Sequence, residues 1–175
     1  AAMLNVTHPE AYPLLEDLYG DLCQVFPAAT HYVGGDEALA IGEGRSASAA
    51  AEVGRENLYL RHVKLLRDIL NGYGKRMALA ADAFEPGFYS AFGTDNFGME
   101  ALRQVPRDVV LASWHYGEVQ GFSFGEAARE MGFDLHMWTS NAAYERLFPA
   151  VGEAARNVQS FIQYAERTGA LGVIH

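Results

Sequence analysis

Cysteine is almost missing from this sequence. Cys23 is the single one in 175 residues, so no internal disulfide can brace the chain. Its helical surroundings, Leu22-Cys23-Gln24-Val25, read as a buried small hydrophobe rather than a reactive thiol. Basic residues are scarce as well: 13 Lys and Arg stand against 22 Asp and Glu, a net charge of −9. That balance cannot neutralise phosphates or an anionic lipid surface, so neither nucleic acid nor membrane is an expected partner. Uncharged partners such as sugars are not excluded. No apolar run approaches the roughly 20 residues that a membrane-spanning helix needs. A basic leader segment is lacking too, since the chain opens Ala1-Ala2-Met3-Leu4-Asn5. That absence carries little weight, because residues 170–175 stop within a strand-like run that no turn follows. The expectation is a piece of a longer chain, soluble and of unassigned compartment.

What is present is a globular composition, 50% hydrophobic and 12% aromatic, enough for one domain over residues 1–175 with its own core. Thr7-His8-Pro9-Glu10 reads as a capping box with proline in the first turn. Leu14, Leu15, Leu18, Leu22, Val25 and Phe26 follow at helical spacing. Residues 30–33 form a short strand closed by Gly34-Gly35-Asp36-Glu37, and a Gly/Ser/Ala-rich stretch over 42–48 leads to one long helix over 50–70. Asn71-Gly72 supplies its stop. Strands are expected at 76–81, 108–113 and 135–139 and from 170 onward, with helices at 98–105, 124–131 and 151–167.

Strict alternation of short apolar strands with longer amphipathic helices marks parallel βα units. A doubly wound sheet would gather its polar residues at one switch point. Here polar and aromatic residues collect at the C-terminal end of every strand, as in a barrel, which needs about 250 residues when complete. The predicted fold class is α/β, a partial (β/α)8 TIM barrel.

Gly34-Gly35-Asp36-Glu37 is the segment richest in chemistry. The glycines permit a sharp turn and close approach of a ligand. Two neighbouring carboxylates at a strand tip suit acid–base work, since like charges held close push at least one pKa upward. A solvated turn carrying two surface acids is the plain alternative.

The context His31-Tyr32-Val33-Gly34-Gly35-Asp36-Glu37 resembles the His-x-Gly-Gly-Asp-Glu motif at the end of barrel strand 4 in family 20 β-N-acetylhexosaminidases. The lead-in from Leu4-Asn5-Val6-Thr7-His8-Pro9 to Val25-Phe26-Pro27 is similar as well. Asp82, then Ser113-Trp114-His115-Tyr116, then Ser140-Asn141 with Tyr144 fall where strands 5, 6 and 7 would end, and 171–174 looks like strand 8. Tyr32 stands where the family has its histidine; His31, one residue early, would point to the other face. Ala80 stands where strand 5 often carries a tryptophan.

The resemblance implies a glycosidase acting on N-acetylhexosamine-containing glycans, without metal or organic cofactor. Glu37 would protonate the glycosidic oxygen and later activate water, while Asp36 would orient the 2-acetamido group, whose carbonyl oxygen is the nucleophile. Trp114 would wall the sugar pocket, Tyr144 would donate its hydroxyl to the acetamido oxygen, and Asp82 and Tyr116 complete the substrate-binding set. Two other readings stay open. Asp82, His115, Glu118 and His136 near strand ends could hold a divalent metal in a barrel hydrolase or isomerase. A barrel lacking strands could instead bind sugar without turning it over, or pair with its missing part or with another copy. Trp138 reads as core, His8 and His62 as surface residues of helices, His115 as pocket lining or support, and Arg45 as a solvated loop charge. The aromatic-rich stretch 84–97 reads as a connecting loop, with a lid as the alternative.

Overall fold

The computed structural model describes residues 3–93, 95–119, 121–144 and 146–175. The helices are α1 (Ala11–Val25), α2 (Ala47–Val53), α3 (Arg55–Gly72), α4 (Gly98–Leu102), α5 (Ser123–Glu130) and α6 (Val151–Thr168). The strands are β1 (Thr30–Tyr32), β2 (Arg76–Ala80), β3 (Val110–Trp114), β4 (Asp134–Trp138) and β5 (Gly172–Ile174). All are parallel and lie in the order β1-β2-β3-β4-β5. A sequential order has no reversal point, so the sheet curls into a half-barrel rather than opening as a doubly wound sheet.

Strand alternation divides the two faces. Met77, Leu79, Leu111, Leu135 and Met137 are buried toward the helices, against Leu66, Leu70, Phe133 and Phe161 among others. The opposite parity carries Tyr32, Ala78, Ala80, Val110, Ala112, Trp114, His136 and Trp138, which the register keeps on one face of the sheet. The long aliphatic side chains of β2 to β4 therefore pack outside, and mostly small or aromatic side chains take the other face. His31 takes the outer parity as expected, with its Nε2 buried and unpartnered among the described residues.

Local readings needed correction in four places. The capping box does not form: α1 begins at Ala11 behind Glu10, and Thr7 instead hydrogen-bonds the Asn5 side chain through both its amide and hydroxyl. Proline sits in the first turn all the same, as Pro13, where the missing N–H has no intrahelical acceptor to lose. Only Leu15 of the expected α1 stripe packs on the core, with Tyr19 and Cys23, while Leu14, Leu18, Leu22, Val25 and Phe26 are exposed. The long helix is two helices broken at Gly54, whose φ of +86° with ψ of 148° only glycine adopts readily. That break frees Arg55 to donate to the Ile41 carbonyl at 2.9 Å. Finally, α3 runs through Gly72, and Gly74 at φ +68° makes the reversal, with Lys75 N–H returning to the Leu70 carbonyl at 2.9 Å. Among the described residues, no helix is long and apolar enough to cross a membrane.

Candidate active site

The last residues of three strands, Tyr32, Trp114 and Trp138, open onto a cavity of about 620 Å³ at the C-terminal ends of the sheet. Asp36 reaches it from the loop after β1, His115 and Tyr116 from the loop after β3, and Thr139, Ser140, Asn141 and Tyr144 from the loop after β4. Its aromatic wall has two parts. Tyr32 and Trp138 rings lie 4.2 Å apart, Trp114 meets Tyr116 edge-on at 5.3 Å, and Tyr116 stacks on Tyr144 at 5.1 Å with 5° between planes. Flat aromatic faces beside one carboxylate suit the apolar face and hydroxyl edge of a sugar ring.

The tip that carries the acids is built by its glycines. Gly34 and Gly35 have φ of +75° and +85°. A Cβ on Gly35 would lie 2.5 Å from Leu79 Cδ1 and 3.2 Å from Tyr59 Oη, so close approach demands glycine there as much as the turn does. The buried Tyr59 hydroxyl donates to the Gly35 carbonyl at 2.8 Å, and Ala80 N–H bonds the Gly34 carbonyl at 3.0 Å. Glu37 itself is left-handed, at φ 50° and ψ 38°, a conformation costing a non-glycine residue roughly 1–2 kcal/mol.

Asp82, directly after the β2 end, is fully buried. One carboxylate oxygen accepts from the Glu37 amide at 2.9 Å and from the Tyr89 hydroxyl, and the other accepts from Trp114 Nε1–H at 2.9 Å. Burial raises the Asp82 pKa, opposed by the hydrogen bonds from Tyr89, the Glu37 amide and Trp114. Tyr89 is raised by burial and by the carboxylate it donates to. Tyr32 is raised by burial, then by the charges of Asp36 and Asp82.

The expected site residues thus divide. Asp36, Trp114, Tyr116 and Tyr144 share the cavity. Glu37 sits beside Asp36 on the same tip, exposed, and outside the cavity lining. Asp82 lies behind the wall with its oxygens engaged by protein donors, a support for Trp114 and Glu37 rather than a surface offered to a sugar. Among the described residues, no three His, Cys, Asp or Glu side chains gather as a metal would require.

Several neighbours correct the sequence reading. Trp138 lines the cavity instead of the core. His62 is half-buried against the Tyr12 hydroxyl at 3.2 Å, and burial lowers its pKa from 6.5 to about 4, so it is no surface histidine. His8 is exposed but precedes α1. Arg45 is exposed, as read. In the 84–97 stretch, Phe84 and Tyr89 are buried and Phe88 packs against both Trp114 and His115. Those residues back the wall and do not cover the site. His115 pairs with Glu85 at 3.0 Å and also lines the cavity. The fully buried Asn157 escaped notice: from α6 it donates to the His115 carbonyl at 2.9 Å and accepts from Ser140 N–H at 2.7 Å, tying two site loops together. A polar residue on the inner face of an amphipathic helix was its only signal.

The half-barrel matches the structure of a family 20 exo-β-N-acetylglucosaminidase from Vibrio harveyi, solved with N-acetylglucosamine, with a TM-score of 0.55 and 19% identity over 78% of this chain and 19% of that one. It also matches a β-N-acetylhexosaminidase from Bacteroides fragilis, with a TM-score of 0.54 and 17% identity over 87% of this chain and 29% of that one. The fold is a partial barrel of the type these two enzymes carry. The chain spans less than a third of either one's length. No protein-family model matches the sequence, and neither does any curated protein.

Proposed function

We propose that this chain carries the acid–base half of a glycoside hydrolase site that releases terminal N-acetylhexosamine with retention of configuration. The observation that carries the reading is the meeting of Asp36 with Trp114, Tyr116 and Tyr144 in one cavity at the strand ends, with Glu37 next to Asp36 on a glycine-built tip. In this scheme Glu37 gives its proton to the glycosidic oxygen as the bond to the anomeric carbon breaks. The substrate's own acetamido carbonyl oxygen attacks that carbon, and the product is a cyclic oxazolinium ion. Asp36 accepts the acetamido N–H and stabilises the positive charge that develops there. Glu37, now a carboxylate, takes a proton from water as that water attacks the anomeric carbon from the face the leaving group vacated, breaking the bond to the acetamido oxygen and restoring the acetamido group. This is the substrate-assisted departure from the two-carboxylate pattern. Trp114 forms the sugar's wall and Tyr144 lends its hydroxyl to the acetamido oxygen.

The test is hydrolysis of an aryl N-acetyl-β-glucosaminide by the chain. Glu37→Gln is expected to lose turnover by on the order of 10²-fold or more while still binding N-acetylglucosamine. Asp36→Asn is expected to be crippled to a similar degree, because the internal nucleophile is mispositioned. A rate within a few-fold of wild type for Asp36→Asn rules out substrate assistance.

A second reading is favoured by one observation: Glu37 is exposed and outside the cavity lining. On that reading the half-barrel binds an N-acetylhexosamine without cleaving it, alone or joined by further barrel strands or a second copy. Binding of the monosaccharide with no turnover of the aryl glycoside selects it.

A further inference from the structure

We propose that Asp82 is a positioning residue, a single clamp that fixes the backbone of Glu37 and the indole of Trp114 in the geometry the site uses. The proposal rests on the hydrolase reading of the Asp36–Glu37 tip.

Among the described residues, the carboxylate is buried without a cation. Its donors from other residues are a backbone amide, a phenol and an indole, and no lysine, arginine or histidine among the described residues contributes to its surroundings. A charge withdrawn from water with no counter-ion is an expensive way to fill a core position. Its hydrogen bonds show what it holds. Glu37 is 45 positions away in sequence and sits in a left-handed conformation that its own side chain disfavours. Trp114 is 32 positions away, and it lines the same cavity as Asp36. Tyr89 closes the arrangement, donating to Asp82 while its oxygen accepts from the Glu37 amide at 2.9 Å.

An amide cannot replace the carboxylate. In Asp82→Asn, one orientation points the new NH₂ group at the Trp114 N–H, and the other points it at the Glu37 N–H. Donor meets donor either way, so either Trp114 loses its bond to residue 82 or the Glu37 amide is left with the Tyr89 oxygen alone. The side chain of Glu37 then departs from its leaving-group position, or the sugar wall swings.

Two measurements test this. The first compares kcat and KM of wild type and Asp82→Asn on two N-acetyl-β-glucosaminides, one with a dinitrophenol leaving group and one with a simple alkanol. The alkanol needs a proton from Glu37 to depart, and the dinitrophenolate hardly does. The expected result is a fall in kcat of on the order of 10²-fold for the alkyl substrate and less than about 10-fold for the aryl one. A merely structural role lowers both alike, in proportion to the folded fraction. The second measurement needs no activity. In amide NMR of the wild-type chain, the Trp114 indole proton and the Glu37 amide proton should exchange slowly with solvent. At least one of them should lose protection in Asp82→Asn, while the Trp138 indole signal stays where it was. If the variant does not fold, Tyr89→Phe serves in its place and should loosen the Glu37 amide. Equal loss on both substrates with both protons still protected overturns the proposal. A wild-type chain that cleaves neither substrate overturns the hydrolase reading instead, and the exchange experiment then still decides whether Asp82 holds the two groups.

Discussion

Replacing Gly35 by alanine tests the physical basis of the tip that presents both acids. Two separate penalties meet at this position. The backbone φ of +85° is one that alanine adopts only at a cost of roughly 1–2 kcal/mol. The added Cβ would also come within 2.5 Å of Leu79 Cδ1 and 3.2 Å of Tyr59 Oη. Neither neighbour has room to retreat, since Leu79 and Tyr59 are 1% and 2% exposed, and Tyr59 is also bonded to the Gly35 carbonyl. Overpacking of this kind costs about 1–3 kcal/mol. The two together come to roughly 2–5 kcal/mol. Gly44→Ala is the internal control. Its φ is +55°, and nothing lies within 4 Å of the Cβ it would gain. It should therefore report strain alone, about 1 kcal/mol. With a urea slope of about 2 kcal/mol/M for a chain of this size, Gly35→Ala should lower the unfolding midpoint by roughly 1–2.5 M and Gly44→Ala by about 0.5 M. Equilibrium urea unfolding followed by far-ultraviolet circular dichroism is the assay. If the two variants lose the same stability within about 0.5 kcal/mol, the close packing beneath the tip is not what requires glycine, and the account of how the acids are presented fails.

Two further outcomes follow from other parts of the fold. Burial holds the His62 pKa at about 4 against 6.5 in the unfolded chain, so between those values the unfolded state carries a proton that the folded state lacks. Stability should therefore be complete above pH 6.5 and fall as pH drops toward 4, by at most ~3 kcal/mol from this residue. His62→Gln should flatten that portion of the pH profile, and an unchanged difference between urea midpoints at pH 7 and pH 4.5 would contradict it. Trp138→Ala separates wall from core: expected are a loss of N-acetylglucosamine affinity of about 10-fold by calorimetric titration and a stability loss below about 2 kcal/mol. Unchanged affinity with a stability loss of roughly 3–5 kcal/mol would return Trp138 to the core.

Much of the architecture was legible because its causes are local. Alternating apolar runs and amphipathic segments place every strand within about two residues of its observed bounds, and the one glycine pair, Gly34-Gly35, marks a turn. The acidic tip was legible for the same reason, since Gly34 and Gly35 dictate a backbone path that needs no distant partner to be recognised. The errors fell where two interactions compete over short range. Thr7 chose the neighbouring Asn5 side chain over the helix, and Gly54 broke a periodic stretch with a backbone conformation that leaves Arg55 bonded to the Ile41 carbonyl.

Side-chain pairing across the sheet was not legible in the chain order. Whether Trp138 is core or wall depends on the curl of the sheet, which turns one strand parity toward the hollow. That Asp82 supports Glu37 and Trp114 rather than facing the cavity depends on contacts spanning 45 and 32 residues, which no periodicity encodes. Asn157 joins two loops on the same footing, through hydrogen bonds that exist only once α6 has docked. Backbone preferences act between neighbours and can be read along the chain, whereas burial and hydrogen-bond capture are settled between segments and come into being only with the packed fold.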